Sequence, residues 1–386
     1  MDTDAIDGAG SAGTNAGGKP ARAPAEKVRD FLKTQALYVA VVLLVIVLGG
    51  MRTWKEFRAQ EEERRTGQPR ENAGPYPLLQ KDLDKQAKDR LAVALTRPED
   101  RFRRAAAFVE AVESLNQYLL WGGAALALAL GFSWALRGRS AAQPAWPDPP
   151  WGLWDVAKVA ALWAAGAELL HTRLFFPLNP ARPFAVPGDW VAEIFIAALL
   201  AGATIHIVVA ERGGHLRDLG IRGKFFGGVG IGLIAFVVVQ PFLQLVVLLE
   251  ERAARSGWIP EIPVQQIIQV IAKTRSASVL ALAAIVAVVA APISEELLFR
   301  GFLQPAIGRW TGRGSAIVLS AAFFAAAHMD LYAMPLLLIL GIALAWVYDR
   351  TRSLAAPVAL HMAFNGMTLL SVFAFRGLVT VLRGPH

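Results

Sequence analysis

The hydrophobic positions of this chain fall into long unbroken runs, and the polar residues collect between them. About 20 consecutive apolar residues cross a bilayer as a helix. Runs of that kind cover about 36–50, 116–136, 152–172, 189–210, 225–249, 277–304, 315–333, 335–349 and 356–375. The pattern predicts an all-α fold: a polytopic transmembrane helical bundle of about nine spans, roughly eight in the core plus an N-terminal anchor. Residues 1–35 form a tail whose Gly-, Ala- and Ser-rich start lacks any apolar period, so disorder is expected there. An uncleaved anchor follows at 36–51, a charged extramembrane insert at 52–113, additional spans at 114–180 and the main membrane domain at 181–376. The connector WPDPPWGLW at 146–154 is expected at headgroup depth, which Trp favours. No internal repeat of the kind that marks many transporters stands out.

Composition sharpens this picture. The 386 residues are 55% hydrophobic and 18% charged, with a mean hydropathy of +0.42, too apolar for an ordinary soluble domain. The net charge of +8 fits loops facing anionic lipid headgroups, so the bilayer and not nucleic acid is the expected partner. Arg137 and Arg139, then Arg212, Arg217, Arg222 and Lys224, then Arg309 and Arg313, then Arg350 and Arg352 fall in alternate loops, which places those loops in the cytoplasm. The Ala, Gly and Arg content suggests a bacterial chain, hence a multi-pass protein of the cytoplasmic (inner) membrane. No cysteine is present, so disulfides, thiolate catalysis and cysteine metal sites are excluded.

The candidate chemistry lies in the last spans, where ionisable residues are sparse. An ionised carboxylate in hydrocarbon costs on the order of 3 kcal/mol or more, so each needs a partner or a use. In APISEELLFRGFLQ (291–304), Glu296 and Arg300 share a helix face one turn apart and can neutralise each other. Glu295 points about 100° away and has no local partner. A carboxylate so placed in a low-dielectric site suits a general base working near neutral pH. This selects Glu295 as the reactive residue, with Glu296 and Arg300 as its support. Phe324 and His328 sit one turn apart in SAAFFAAAHMD, and Glu295 and His328 are equidistant from the centre of the intervening loop, so an antiparallel hairpin sets them at one depth. His361 and Asn365 share a face in APVALHMAFNG; Asn365 could orient the imidazole or donate to an oxyanion. His361 closely follows Pro357 and looks shallow, so the three meet only with tilted helices or with part of 301–315 outside the core.

Glu295-Glu296-Leu-Leu-Phe-Arg300, Phe324-Ala-Ala-Ala-His328 and His361-Met-Ala-Phe-Asn365 together resemble the signature of the CPBP family, the CAAX-processing and bacteriocin-processing (Abi) intramembrane proteases, including type II CAAX prenyl endopeptidases. DLGIR at 218–222 is similar to a further segment of that family, and the resemblance covers roughly 190–375. It implies an endopeptidase acting on a membrane-associated peptide or protein. Glu295 and His328 would activate a water, His361 and Asn365 would stabilise the oxyanion, and Glu296, Arg300 and Phe324 would shape the site. No HExxH occurs, and no cofactor or metal ligand is assigned. Glu295, His328 and His361 would nevertheless make an acceptable three-ligand zinc set, so a zinc-dependent version is one alternative. A catalytically silent scaffold or bacteriocin-immunity-type protein is another, and a transporter, disfavoured by the lack of repeats and of Gly/Pro-broken helix pairs, is a third.

Overall fold

The computed structural model describes residues 100–137, 148–171, 187–222, 225–256, 274, 276–328, 330 and 332–383. The expected tail, the anchor at 36–51 and most of the charged insert lie outside the described residues. All regular structure among the described residues is helical: α1 Asp100–Arg137, α2 Leu153–His171, α3 Pro187–Glu211, α4 Phe225–Arg255, α5 Ala277–Thr311, α6 Arg313–Ala327, α7 Met334–Thr351 and α8 Ala355–Arg383. Five described segments are long and apolar enough to cross a membrane: Pro187–Glu211, Phe225–Ala254, Ala277–Thr311, Met334–Thr351 and Ala355–Ala374. The chain is an integral membrane protein. α6 is a shorter apolar helix. α1 runs unbroken through the expected insert boundary at 113, because no Gly or Pro interrupts its sequence before Gly122.

α4 and α8 pack backbone to backbone. Gly228 and Gly232, one turn apart on α4, face the start of α8. A Cβ on Gly228 would lie 2.9 Å from the Ala355 Cβ, and one on Gly232 would strike the Ala356 carbonyl. Small residues at this spacing let two backbones touch. Gly123 does the same for α1 against the Val237 carbonyl of α4, beside Pro241. At Gly341 of α7 an added Cβ would meet the Ala321 backbone of α6 at 3.1 Å.

α5 is not a uniform helix. Val286–Ala290 and Leu297–Leu303 are π-helical, and Ala291–Glu296 is the α-helical turn between them. π turns insert extra residues, re-aim side chains and free carbonyls from the usual ladder. Within the second π stretch, the Phe302 carbonyl accepts the Trp151 indole N–H at 2.9 Å. Trp151 is buried and its ring stacks on Phe302 with centroids 5.5 Å apart. The connector expected at headgroup depth therefore contributes a core residue, whose N–H finds its acceptor on α5.

The shallow position of His361 is resolved by the same region. The loop Leu216–Leu219 crosses α5 at Gly301, whose Cβ would lie 2.9 Å from the Leu219 carbonyl. The next residue, Gly220, accepts from Leu354 N at 3.0 Å at the entry to α8. Gly301 and Ala355 thus share a level, and Glu295 and His361 each lie six residues from it. The end of α5 projects past that level, where Arg309 binds Asp148 at 3.0 Å. At the neighbouring corner, buried Asp155 of α2 accepts from Arg212 at 2.7 Å. That hydrogen bond, between α2 and the residue after α3, holds the Arg212 guanidinium above its ordinary value.

The α4–α8 contact generates a test in detergent-solubilised protein. Gly232→Val should cost about 1–3 kcal/mol of stability by overpacking, read as a lower unfolding temperature. Gly230→Ala, whose Cβ meets nothing within 4 Å, should be neutral or stabilising. Equal losses at both positions would contradict the packing described.

Candidate active site

Glu296 and Arg300 carry the lowest exposure of any charged pair in the described structure, 0% for each. Arg300 Nε lies 3.3 Å from Glu296 Oε2, a charge contact off hydrogen-bond alignment. Arg300 also donates to the Gly341 carbonyl at 3.3 Å, and its guanidinium carbon sits 4.4 Å from the centroid of the Phe324 ring. One turn on, Gln304 repeats the gesture by donating to the Ala345 carbonyl at 3.0 Å. Gln304 was not singled out from the sequence, although its continuation of the Glu296 and Arg300 face at the same spacing was a readable signal.

Glu296 has a second duty that the helix register alone did not reveal. Its Oε1 lies 2.8 Å from Nδ1 of His361, itself only 3% exposed. A carboxylate paired with Arg300 can only accept, so the His361 proton sits on Nδ1 and its Nε2 is presented away from Glu296. His361 is therefore oriented by Glu296. Asn365, one expected orienter, instead donates its amide to the Ala287 carbonyl at 2.7 Å.

His328 is set by the end of its own helix. It follows the last residue of α6, and its Nδ1 lies 2.8 Å from the Phe324 carbonyl, one of the acceptors a helix end leaves open. A carbonyl cannot donate, so Nδ1 carries the proton and Nε2 offers a lone pair. The buried Phe324 ring meets the edges of both imidazoles, at 4.7 Å from His328 and 5.7 Å from His361. Phe324 thus contacts the arginine and both histidines.

Glu295 is partly exposed and its Oε2 faces both imidazoles, 4.0 Å from His328 Nε2 and 3.9 Å from His361 Nε2. The structure brings these three residues together and sets Asn365 one turn further along α8. Separations near 4 Å are too long for direct hydrogen bonds and suit two bonds of about 2.8 Å to one shared water. They exceed the roughly 3.3 Å between donors of a tetrahedral zinc site with bonds of 2.0–2.1 Å. Among the described residues no group of three or more His, Asp or Glu side chains is arranged to hold a metal ion. Glu295 and His328 line a cleft of about 170 Å³ whose walls include Trp163, Ile196, Leu200, Leu298 and Phe299. Glu193 of α3 also lines it. No sequence pattern marked Glu193, because its distance along the chain hides its proximity.

Residues 277–367 match the family model described as Type II CAAX prenyl endopeptidase Rce1-like. The match supports the CAAX-protease family reading. It begins with α5 and ends two residues after Asn365, so Glu295, Glu296, Arg300, Phe324, His328, His361 and Asn365 all lie inside the Rce1-like segment. α1 to α4 lie outside it. No curated protein and no solved structure matches the chain.

The Glu296–Arg300 pair yields a sharp expectation. Removing one partner strands a buried charge and should destabilise the protein by about 3–5 kcal/mol. Glu296→Gln and Arg300→Met should each express poorly in detergent, and the double variant should express better than either. A double variant no better than the worse single would contradict the pairing.

Proposed function

We propose that the protein is an intramembrane endopeptidase that hydrolyses a peptide bond of a membrane-associated protein or peptide with a water activated by Glu295 and His328. The observation that carries this reading is the convergence of Glu295 Oε2 with the Nε2 atoms of His328 and His361 beside an apolar cleft. A bound water donates one hydrogen to Glu295 and the other to His328. As the water oxygen adds to the scissile carbonyl carbon, its proton passes to Glu295. The carbonyl electron pair moves onto oxygen, giving a tetrahedral oxyanion. His361, with Nδ1–H on Glu296, faces that oxyanion with an N–H when Nε2 is also protonated. The C–N bond then breaks, Glu295 returns its proton to the leaving amine, and the water oxygen leaves in the new carboxyl group. No covalent intermediate and no metal enters this sequence.

The setting we propose is a bacterial cytoplasmic membrane, with a cleft suited to an extended peptide near the bilayer. The family description names prenyl endopeptidases. A fluorescence-quenched farnesylated peptide ending in a CAAX motif is therefore the first probe, with its unprenylated counterpart beside it.

In proteoliposomes, Glu295→Gln, His328→Ala and His361→Ala should each abolish cleavage of the probe. Combining Glu295→Gln with His328→Ala should cost little more than either alone, since residues acting on one water are not additive. Stability of the Glu295 and His328 variants should stay within about 1–2 kcal/mol of wild type. Full cleavage by Glu295→Gln would overturn the assignment of the base. No cleavage by wild type, with an unchanged cellular function in Glu295→Gln, would favour the scaffold. Loss of activity to a chelator, restored by zinc, would replace the water-only chemistry by a metal-dependent one.

A further inference from the structure

We propose that Asn365 is a positioning residue that substitutes for the backbone donor Pro292 lacks, and so fixes the π turn from which Glu295 projects. In the π turn Val286–Ala290, the Ala291 N–H reaches back five residues to the Val286 carbonyl. It is thereby withdrawn from Ala287, its partner in an ordinary α-helix. The π-type partner of Ala287 would be residue 292, and that residue is proline, with no N–H to give. The Ala287 carbonyl is thus deprived of both helical donors within an apolar span. Ala287 is half-buried, and an unpaired carbonyl in an apolar span carries a penalty that is larger in hydrocarbon than in water. Asn365 meets it with its amide N–H at 2.7 Å, from a helix 78 positions away in sequence.

The consequence for chemistry follows from where this tie falls. Ala287 precedes Glu295 by two turns on the same helix, and Asn365 follows His361 by one turn on α8. One hydrogen bond therefore joins the helix carrying the carboxylate to the helix carrying the imidazole, on the far side of the site from the Glu296–His361 bond. The two bonds together set the 3.9 Å separation of Glu295 and His361. The motif HxxxN is then read as a reactive imidazole followed by a structural donor, and Pro292 becomes the reason an asparagine is needed.

The effect on turnover rests on the proteolytic reading above; the tie itself does not. Four full-length proteins in detergent test both: wild type, Asn365→Ala, Pro292→Ala and the double variant. Hydrogen exchange over 286–296 and cleavage of the farnesylated peptide are the two readouts. Asn365→Ala should speed exchange about tenfold in that segment. It should lower kcat on the order of 10²-fold through misplacement of Glu295, with KM changed less than about twofold. Pro292→Ala restores a backbone N–H, so in that background Asn365→Ala should change exchange and kcat by less than about threefold. An equal loss of kcat in both backgrounds, with unaltered exchange, would show that Asn365 touches the reacting atoms and would overturn the proposal. If Pro292→Ala fails to fold, the exchange comparison of wild type with Asn365→Ala decides alone, and unchanged exchange overturns it. If wild type cleaves nothing, the proteolytic reading fails while the exchange result still decides the tie.

Discussion

The buried contact between Glu296 and Arg300 is the constraint on which the rest of the site depends. Two opposite charges at 0% exposure neutralise each other, and neither could remain there alone. Each then uses its remaining capacity to fix a different neighbour. Arg300 reaches the α7 backbone at Gly341 and the face of Phe324, while Glu296 holds His361 by Nδ1. Three helices beyond α5 are thereby tied to one salt bridge. Glu295, the adjacent residue, is turned away from this network and left to the cleft. Two neighbouring carboxylates differ in surroundings: one faces an arginine and the other the Nε2 edges of two imidazoles.

Irregular backbone makes this arrangement reachable. A straight α-helix of 35 residues would carry one continuous ladder and present few free carbonyls. The two π stretches in α5 bracket the Glu295–Glu296 turn, and each offers a carbonyl to a side chain from elsewhere in the chain. Trp151 fastens to Phe302 on one side and Asn365 to Ala287 on the other. The Glu295–Glu296 turn is thus held on both sides by side-chain donors that lie far away in the chain.

Much of this was legible in the sequence, and what was not has physical causes. The all-helical membrane character followed from run length, and the Glu296–Arg300 pair from one-turn spacing on a helix. The common depth of Glu295 and His328 followed from hairpin symmetry. The Glu296–His361 bond, the docking of Asn365 on Ala287 and the entry of Glu193 into the cleft were not legible. Each joins residues on different helices, and helix rotation about its own axis is set by packing that no local pattern encodes. The π turns were hidden for a related reason: Pro292 takes one N–H out of the ladder, and either an ordinary kink or a π turn accommodates that loss. The burial of Trp151 was not legible either, because Trp serves equally at a bilayer surface and in a core where its N–H finds an acceptor.

The central claim is that Glu295 acts as a base on water and never bonds to the substrate carbonyl. Multiple turnovers of the farnesylated peptide in ¹⁸O-water, followed by mass spectrometry of both product and protein, test it directly. Attack by water predicts label in the new carboxylate of the product and none in the peptide containing Glu295. Label accumulating in the Glu295 carboxylate would mean that it attacks the carbonyl itself and is regenerated by hydrolysis, which would contradict the account.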